Sequence, residues 1–191
     1  MPAGPPSAKL VAPVGPGAAP DPVSDPKRLA EIDRLGLLEA DVEALLQPIV
    51  DEAASRLGAP VAVLSVVTTT RQHFAAQHGL TGWMAQEKGT PVEWSFCVHT
   101  VRRGAPLAIE DATLQPIVSH SPLIDEGVRS YLGVPLVTRS GYALGSLCVI
   151  GPDPRRFGDT DIAQLRELVR TAMGELERRA EQAAGQDPEP A

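Results

Sequence analysis

The chain has little of what usually betrays a reaction. Its 191 residues include two cysteines, four histidines and no asparagine, and aromatic residues make up 4% of the whole. Cys97 and Cys148 are separated by 51 positions. That spacing fits neither a zinc-ligand pattern nor a disulfide framework. Both cysteines sit in apolar stretches, which suits a reducing cytoplasm. A bridge between them would require the fold to bring them together. No Gly-x-x-x-x-Gly-Lys-Ser/Thr phosphate loop, no His-Glu-x-x-His and no Gly-x-Ser-x-Gly occurs. There is no basic excess either: 17 Lys and Arg face 24 Asp and Glu, a net charge of −7. A general nucleic-acid surface is therefore excluded. The short clusters Arg102-Arg103, Arg155-Arg156 and Arg178-Arg179 read as solvated surface. The longest apolar run, Leu57 to Val67, is broken by Gly58, Pro60 and Ser65. It is about half of what a bilayer span needs, so no membrane insertion is expected.

What is present fits one domain with loose ends. The proline-rich start, residues 1–24, lacks the apolar stretch of a signal peptide and reads as a disordered tail. The acidic end, residues 184–191, reads the same way. Residues 25–183 are long enough for a single core. Asp25-Pro26 has the form of a helix start, and Asp41 of a second one. From Asp41 a stripe of Val42, Leu45, Leu46, Ile49, Val50, Ala53 and Leu57 predicts a helix, with Pro48 as a point of kinking. Val61 to Val67 predicts a buried central strand. Gln72 to His78 predicts its antiparallel partner. Val98, Val101 and Arg102 predict a short helix, and Pro106 to Ile109 a short strand. Arg129 to Thr138 and Tyr142 to Ile150 predict a hairpin turning through Arg139-Ser140-Gly141. A last helix starts at Asp159 or Thr160 and runs to about Gln182. Its Ile162, Leu165, Val169, Ala172 and Leu176 keep the 3-4-3-4 spacing of a helix-pair seam. Two readings fit that spacing: packing on the chain's own sheet, or a homodimer interface.

Three segments occur in order: Ser95-Phe96-Cys97-Val98-His99, Tyr131-Leu132-Gly133-Val134-Pro135-Leu136 and Gly145-Ser146-Leu147-Cys148-Val149-Ile150. Together they resemble the GAF family, the small-molecule-sensing domains of bacterial signalling proteins, over about Pro26 to Ala183. The resemblance implies an α+β fold: a central antiparallel sheet of five or six strands with N- and C-terminal helices packed on it. It also implies variable loops over a pocket between Gly79 and Glu93. The cyclic-nucleotide branch of the family carries an Asn-Lys-x-x-x-Phe-x-x-x-Asp-Glu element, which a chain without asparagine cannot form. The branch that reduces free methionine sulfoxide carries a catalytic cysteine in the loop that here reads SPLIDEGVRSYLGVP, without one. Bilin-binding relatives use an adjacent Cys-His pair, which Cys97-Val98-His99 is not.

Candidate ligand-binding residues are Cys97, His99, Asp111, Arg129, Tyr131, Trp83 and Trp94. A Cys97 thiolate near the His99 imidazole could be a nucleophile, a redox sensor or half of a metal site. With no second Cys/His pair nearby, apolar packing of Cys97 is the simpler reading. Cys148, within an apolar strand, reads as buried filler. Asp111 ends a strand and would either accept N–H groups of the next turn or meet a ligand. Arg129 and Tyr131 share strand parity, so both could face the cavity; an ion pair is the other reading for Arg129. Trp83 and Trp94 would line a site or pack the loops. The expected function is non-enzymatic: a cytoplasmic, homodimeric regulatory module, without cofactor, sensing a small molecule or redox state and acting through a protein partner. A ligand-free dimerisation scaffold is the alternative, and a methionine sulfoxide reductase-like enzyme the third reading.

Overall fold

A computed structural model describes residues 21–185. The tail expected over 1–24 lies outside the described residues as far as Pro20, and the one expected over 184–191 does so from Gln186. The remainder of the first tail is a correction. Asp21 caps a single 3-10 turn, Pro22–Ser24, and Val23 within it is buried.

Five helices and six strands follow. The helices are α1 (Pro26–Arg34), α2 (Val42–Leu57), α3 (Gly82–Glu87), α4 (Cys97–Arg103) and α5 (Asp159–Ala184). The strands are β1 (Val61–Val67), β2 (Arg71–His78), β3 (Gly89–Pro91), β4 (Leu107–Ile109), β5 (Ser130–Val137) and β6 (Ala143–Gly151). They form one antiparallel sheet in the order β3-β2-β1-β6-β5-β4. The expected α+β architecture is present, and the strand count is the upper of the two values. No described helix is long and apolar enough to cross a membrane.

Local chemistry explains most boundaries. The Asp25 carboxylate accepts the Lys27 N–H at 2.8 Å, and Pro26 opens α1 without a lost donor. Gly58 and Gly104 close α2 and α4 in the left-handed conformation that favours glycine. Two expected caps differ. Asp41 makes no cap bond, because its carboxylate is held by Arg179 at 2.6 Å. The residue before α5 is Gly158, whose N–H reaches the Asp161 carboxylate at 2.8 Å. Helix α2 continues through Pro48 to Leu57.

Side chains alternate across the sheet, and the two faces are covered differently. Ala62, Leu64 and Val66 of β1, Leu132, Val134 and Leu136 of β5, and Leu147 and Val149 of β6 pack against α1, α2 and α5. Val63 and Val67 of β1, Tyr131 of β5 and Cys148 of β6 face the other way, under α4 and the loops around it.

The α5 stripe belongs to the first of these faces, which corrects the assignment of its residues to a dimer seam. Leu165, Ala172 and Leu176 have no exposed surface, Val169 retains 7%, and Ile162 packs at the edge of the same core. The sheet already occupies the surface a partner helix would need. Two charged side chains are also enclosed among the described residues, Arg28 and Glu177. Arg28 donates to the carbonyls of Val23, Val67, Ala143 and Leu144, tying α1 and the preceding turn to the ends of β1 and β6. Burial draws its pKa down to about 10.

Candidate functional site

Beside the start of α4 the sheet does not close on its covering layer. A cavity of about 250 Å³ lies there, walled by Val61, Val63, Phe74, Leu80, Met84, Phe96, Leu123, Val128 and Ile150. Strand alternation selects its floor. Residues two apart share a face, so Gln72 and Phe74 of β2, Val61 and Val63 of β1, and Cys148 and Ile150 of β6 all point into it. The sole charged lining residue among those described is Glu126, which is exposed.

The deep end of the cavity is polar. Cys97, at the start of α4, has its Sγ 3.7 Å from Sγ of Cys148 on β6. The Gln72 amide donates to Cys97 Sγ at 3.1 Å, and its Oε1 accepts from Thr90 at 3.4 Å. Beside them Tyr131 lies across Gly133, where any Cβ would collide with its phenol. The Tyr131 hydroxyl is 2.8 Å from Thr100 Oγ1 and 3.4 Å from Ser146 Oγ. Burial raises the pKa of Cys97, but hydrogen bonds from Cys148, Ser146, Ser65 and Tyr131 outweigh it, and the net direction is down. Cys148 moves the other way, through its hydrogen bond to Cys97 and then through burial. The two thiols therefore differ in acidity, with Cys97 the more acidic.

Of the seven sequence candidates, Cys97 and Tyr131 line the cavity. Arg129 does not join them. It precedes β5 and turns to Asp111, with Nε at 3.1 Å from Oδ1 and Nη2 at 2.9 Å from Oδ2. Asp111 also accepts the Thr113 N–H at 3.0 Å, closing the turn after β4. Arg129, and then Thr113, hold its carboxyl down at about 2. These two residues are a structural clasp. Trp83 and Trp94 pack edge to face, centroids 6.0 Å apart, outside the lining. His99 also stays outside it, and burial followed by the charge of Arg102 lowers its pKa to about 4. The imidazole is therefore neutral near pH 7, and on helix α4 it does not share a face with Cys97.

Sequence reasoning missed Gln72 and the partnership of Cys148 with Cys97. Parity offered the one usable signal, because Gln72 alternates in register with Phe74 and Cys148 with Ile150.

Relatives agree with the architecture. A family model for the GAF domain matches residues 39–174. The chain is 34% identical over 160 residues to a cyclic di-GMP phosphodiesterase of Pseudomonas aeruginosa, covering 82% of this chain and 26% of that protein. It thus spans about a quarter of the curated relative it matches. The GAF domain of a phosphoenolpyruvate-protein phosphotransferase from Coxiella burnetii superposes with a TM-score of 0.63 at 20% identity, covering 83% of this chain and 95% of that one. A free methionine-R-sulfoxide reductase from Neisseria meningitidis gives 0.60 at 19% identity, covering 84% and 95% respectively. At such identities the structural matches speak for the fold alone. With the family model spanning most of the described residues, the chain belongs to the GAF domain family.

Proposed function

We propose that this GAF domain is a non-enzymatic regulatory module of the cytoplasm that binds a small, neutral, largely apolar molecule and signals through contact with a protein partner. The observation that carries this reading is the cavity beside the start of α4, with its apolar walls and one polar end. A scaffold whose pocket is filled by its own side chains would leave no such space. The lining also bears on ligand class. Among the described residues no Lys or Arg lines it, so none of them would neutralise a phosphate there. That argues against a cyclic dinucleotide in this cavity, despite the name of the Pseudomonas relative. A reductase reading has no support in the SPLIDEGVRSYLGVP loop, which holds no cysteine. Self-association would use other surfaces than the α5 stripe, and the exposed Leu114 and Ile117 are the first to test.

Native mass spectrometry of the full chain from bacterial cells, with denaturing release of bound compounds, tests the proposal. The expected result is one phosphate-free organic compound per chain, lost in a Val63→Trp variant that keeps its circular dichroism. A clean apoprotein whose melting temperature no neutral apolar compound raises would contradict it.

A further inference from the structure

The fold joins what the sequence separates: two thiols on different elements, in sulfur–sulfur contact, at the floor of a cavity. We propose that Cys97 and Cys148 form a reversible dithiol–disulfide couple, and that the cavity admits a small organic hydroperoxide to oxidise it. The inference rests on the same open cavity as the proposed function.

Geometry sets the roles. The sulfurs are 3.7 Å apart, so a modest approach of α4 to β6 reaches bonding distance, normally about 2.05 Å. Both residues are almost wholly shielded from bulk solvent, Cys97 at 2% and Cys148 at 1% exposure, yet both line the cavity. Reagents must therefore arrive through it. The Gln72 amide points an N–H at Cys97 Sγ, and Thr90 holds the other end of that amide. An N–H donor stabilises a thiolate, so Cys97 is the attacking sulfur. Cys148 keeps its proton and is the resolving thiol, and the directions of the two pKa values agree.

The chemistry closes in two steps. Cys97 first releases its proton to water at the cavity mouth; the thiolate then attacks the terminal peroxide oxygen, the O–O bond breaks, and the departing alkoxide takes a proton back from water to leave as an alcohol. Cys97 is then a sulfenic acid. Cys148 attacks that sulfur, the S–O bond breaks, and hydroxide leaves with the Cys148 proton as water. Two thiols and one hydroperoxide give one disulfide, one alcohol and one water. Cellular small thiols return the pair to the reduced state by exchange. The substrate class follows from the walls. Val61, Val63, Phe74, Leu80 and Ile150 favour an organic group over the fully polar hydrogen peroxide.

The test uses the reduced full chain and cumene hydroperoxide. Intact mass should fall by two hydrogens, and non-reducing peptide mapping should find a Cys97–Cys148 bridge within one chain. Cys148→Ala should stop at one added oxygen on Cys97, trapped by dimedone, while Cys97→Ala should stay unoxidised. Circular dichroism of both variants confirms that they fold. Should either unfold, the wild-type bridge and its rate against hydrogen peroxide still decide the matter. Cumene hydroperoxide should react faster than hydrogen peroxide, and an equal or slower rate overturns the organic class. Two thiols that both survive a modest excess of cumene hydroperoxide, or a bridge that forms between chains, overturn the couple. A bound metabolite with inert thiols would sink this inference alone. An oxidisable pair in a cavity that binds nothing would sink the ligand reading alone.

Discussion

Leu147 and Cys148 are neighbours on β6 and meet different worlds. Leu147 enters the face covered by α1, α2 and α5, where it packs into a cluster of aliphatic side chains. Cys148 enters the other face, where a tyrosine, a glutamine and a second thiol border an open space. The first face holds the domain together. The second gives up packing for room and chemistry. A continuously apolar strand in the sequence hides this contrast, because both of its faces are buried.

The contrast predicts unequal costs. The largest belongs to Leu176→Glu, which would bury an unpaired carboxylate in the helix-covered core. It should unfold the chain, at a cost of several kcal/mol. Chemical denaturation with circular dichroism checks this. A folded variant of halved solution mass would return Leu176 to a dimer seam. Leu147→Ala comes next, at about 2–5 kcal/mol. Cys148→Ala beside it should cost about 1 kcal/mol, since the cavity already borders that side chain. Equal losses at the two positions would erase the distinction between the faces.

Arg28→Ala should cost about 3 kcal/mol, inside the Leu147 range, because carbonyls of Val23, Val67, Ala143 and Leu144 lose their donor. Hydrogen exchange should loosen first at Val67 and Leu144. The smallest effect is expected at the Asp111–Arg129 clasp, which is solvent-screened. Its sign is fixed. The Asp111 pKa is depressed in the fold, so its contribution is present above about pH 4 and fades as pH falls through about 2. Asp111→Asn should flatten the stability profile in that window, lower stability slightly at pH 7 and match the parent below about pH 2.

Much of this fold was legible in the chain. Strand limits, the helix start at Asp25-Pro26 and the hairpin through Arg139-Ser140-Gly141 follow from local chemistry, and local chemistry is written in sequence. The failures share a cause. A 3-4-3-4 stripe has the same spacing whether it meets a partner or its own sheet, so α5 could not announce which. Arg129 and Tyr131 share parity, but Arg129 lies just before the strand begins, where parity no longer governs direction. The dithiol was invisible because it depends on where α4 crosses the sheet, and no spacing encodes that. Gln72 opens a predicted strand with nothing to set it apart until Thr90 of β3 and Cys97 of α4 meet it.

The central claim is that the apolar cavity bordered by the two thiols is open to a guest while the core beneath α1, α2 and α5 is close-packed. Xenon enters apolar cavities without needing specific contacts, so methyl spectra of the full chain under xenon pressure test the claim most directly. Shifts should be confined to Val61, Val63, Leu80, Met84, Leu123, Val128 and Ile150, with Leu64, Leu132, Val134 and Leu147 unmoved. Shifts on the helix-covered face, or none on the α4 face, would contradict the account.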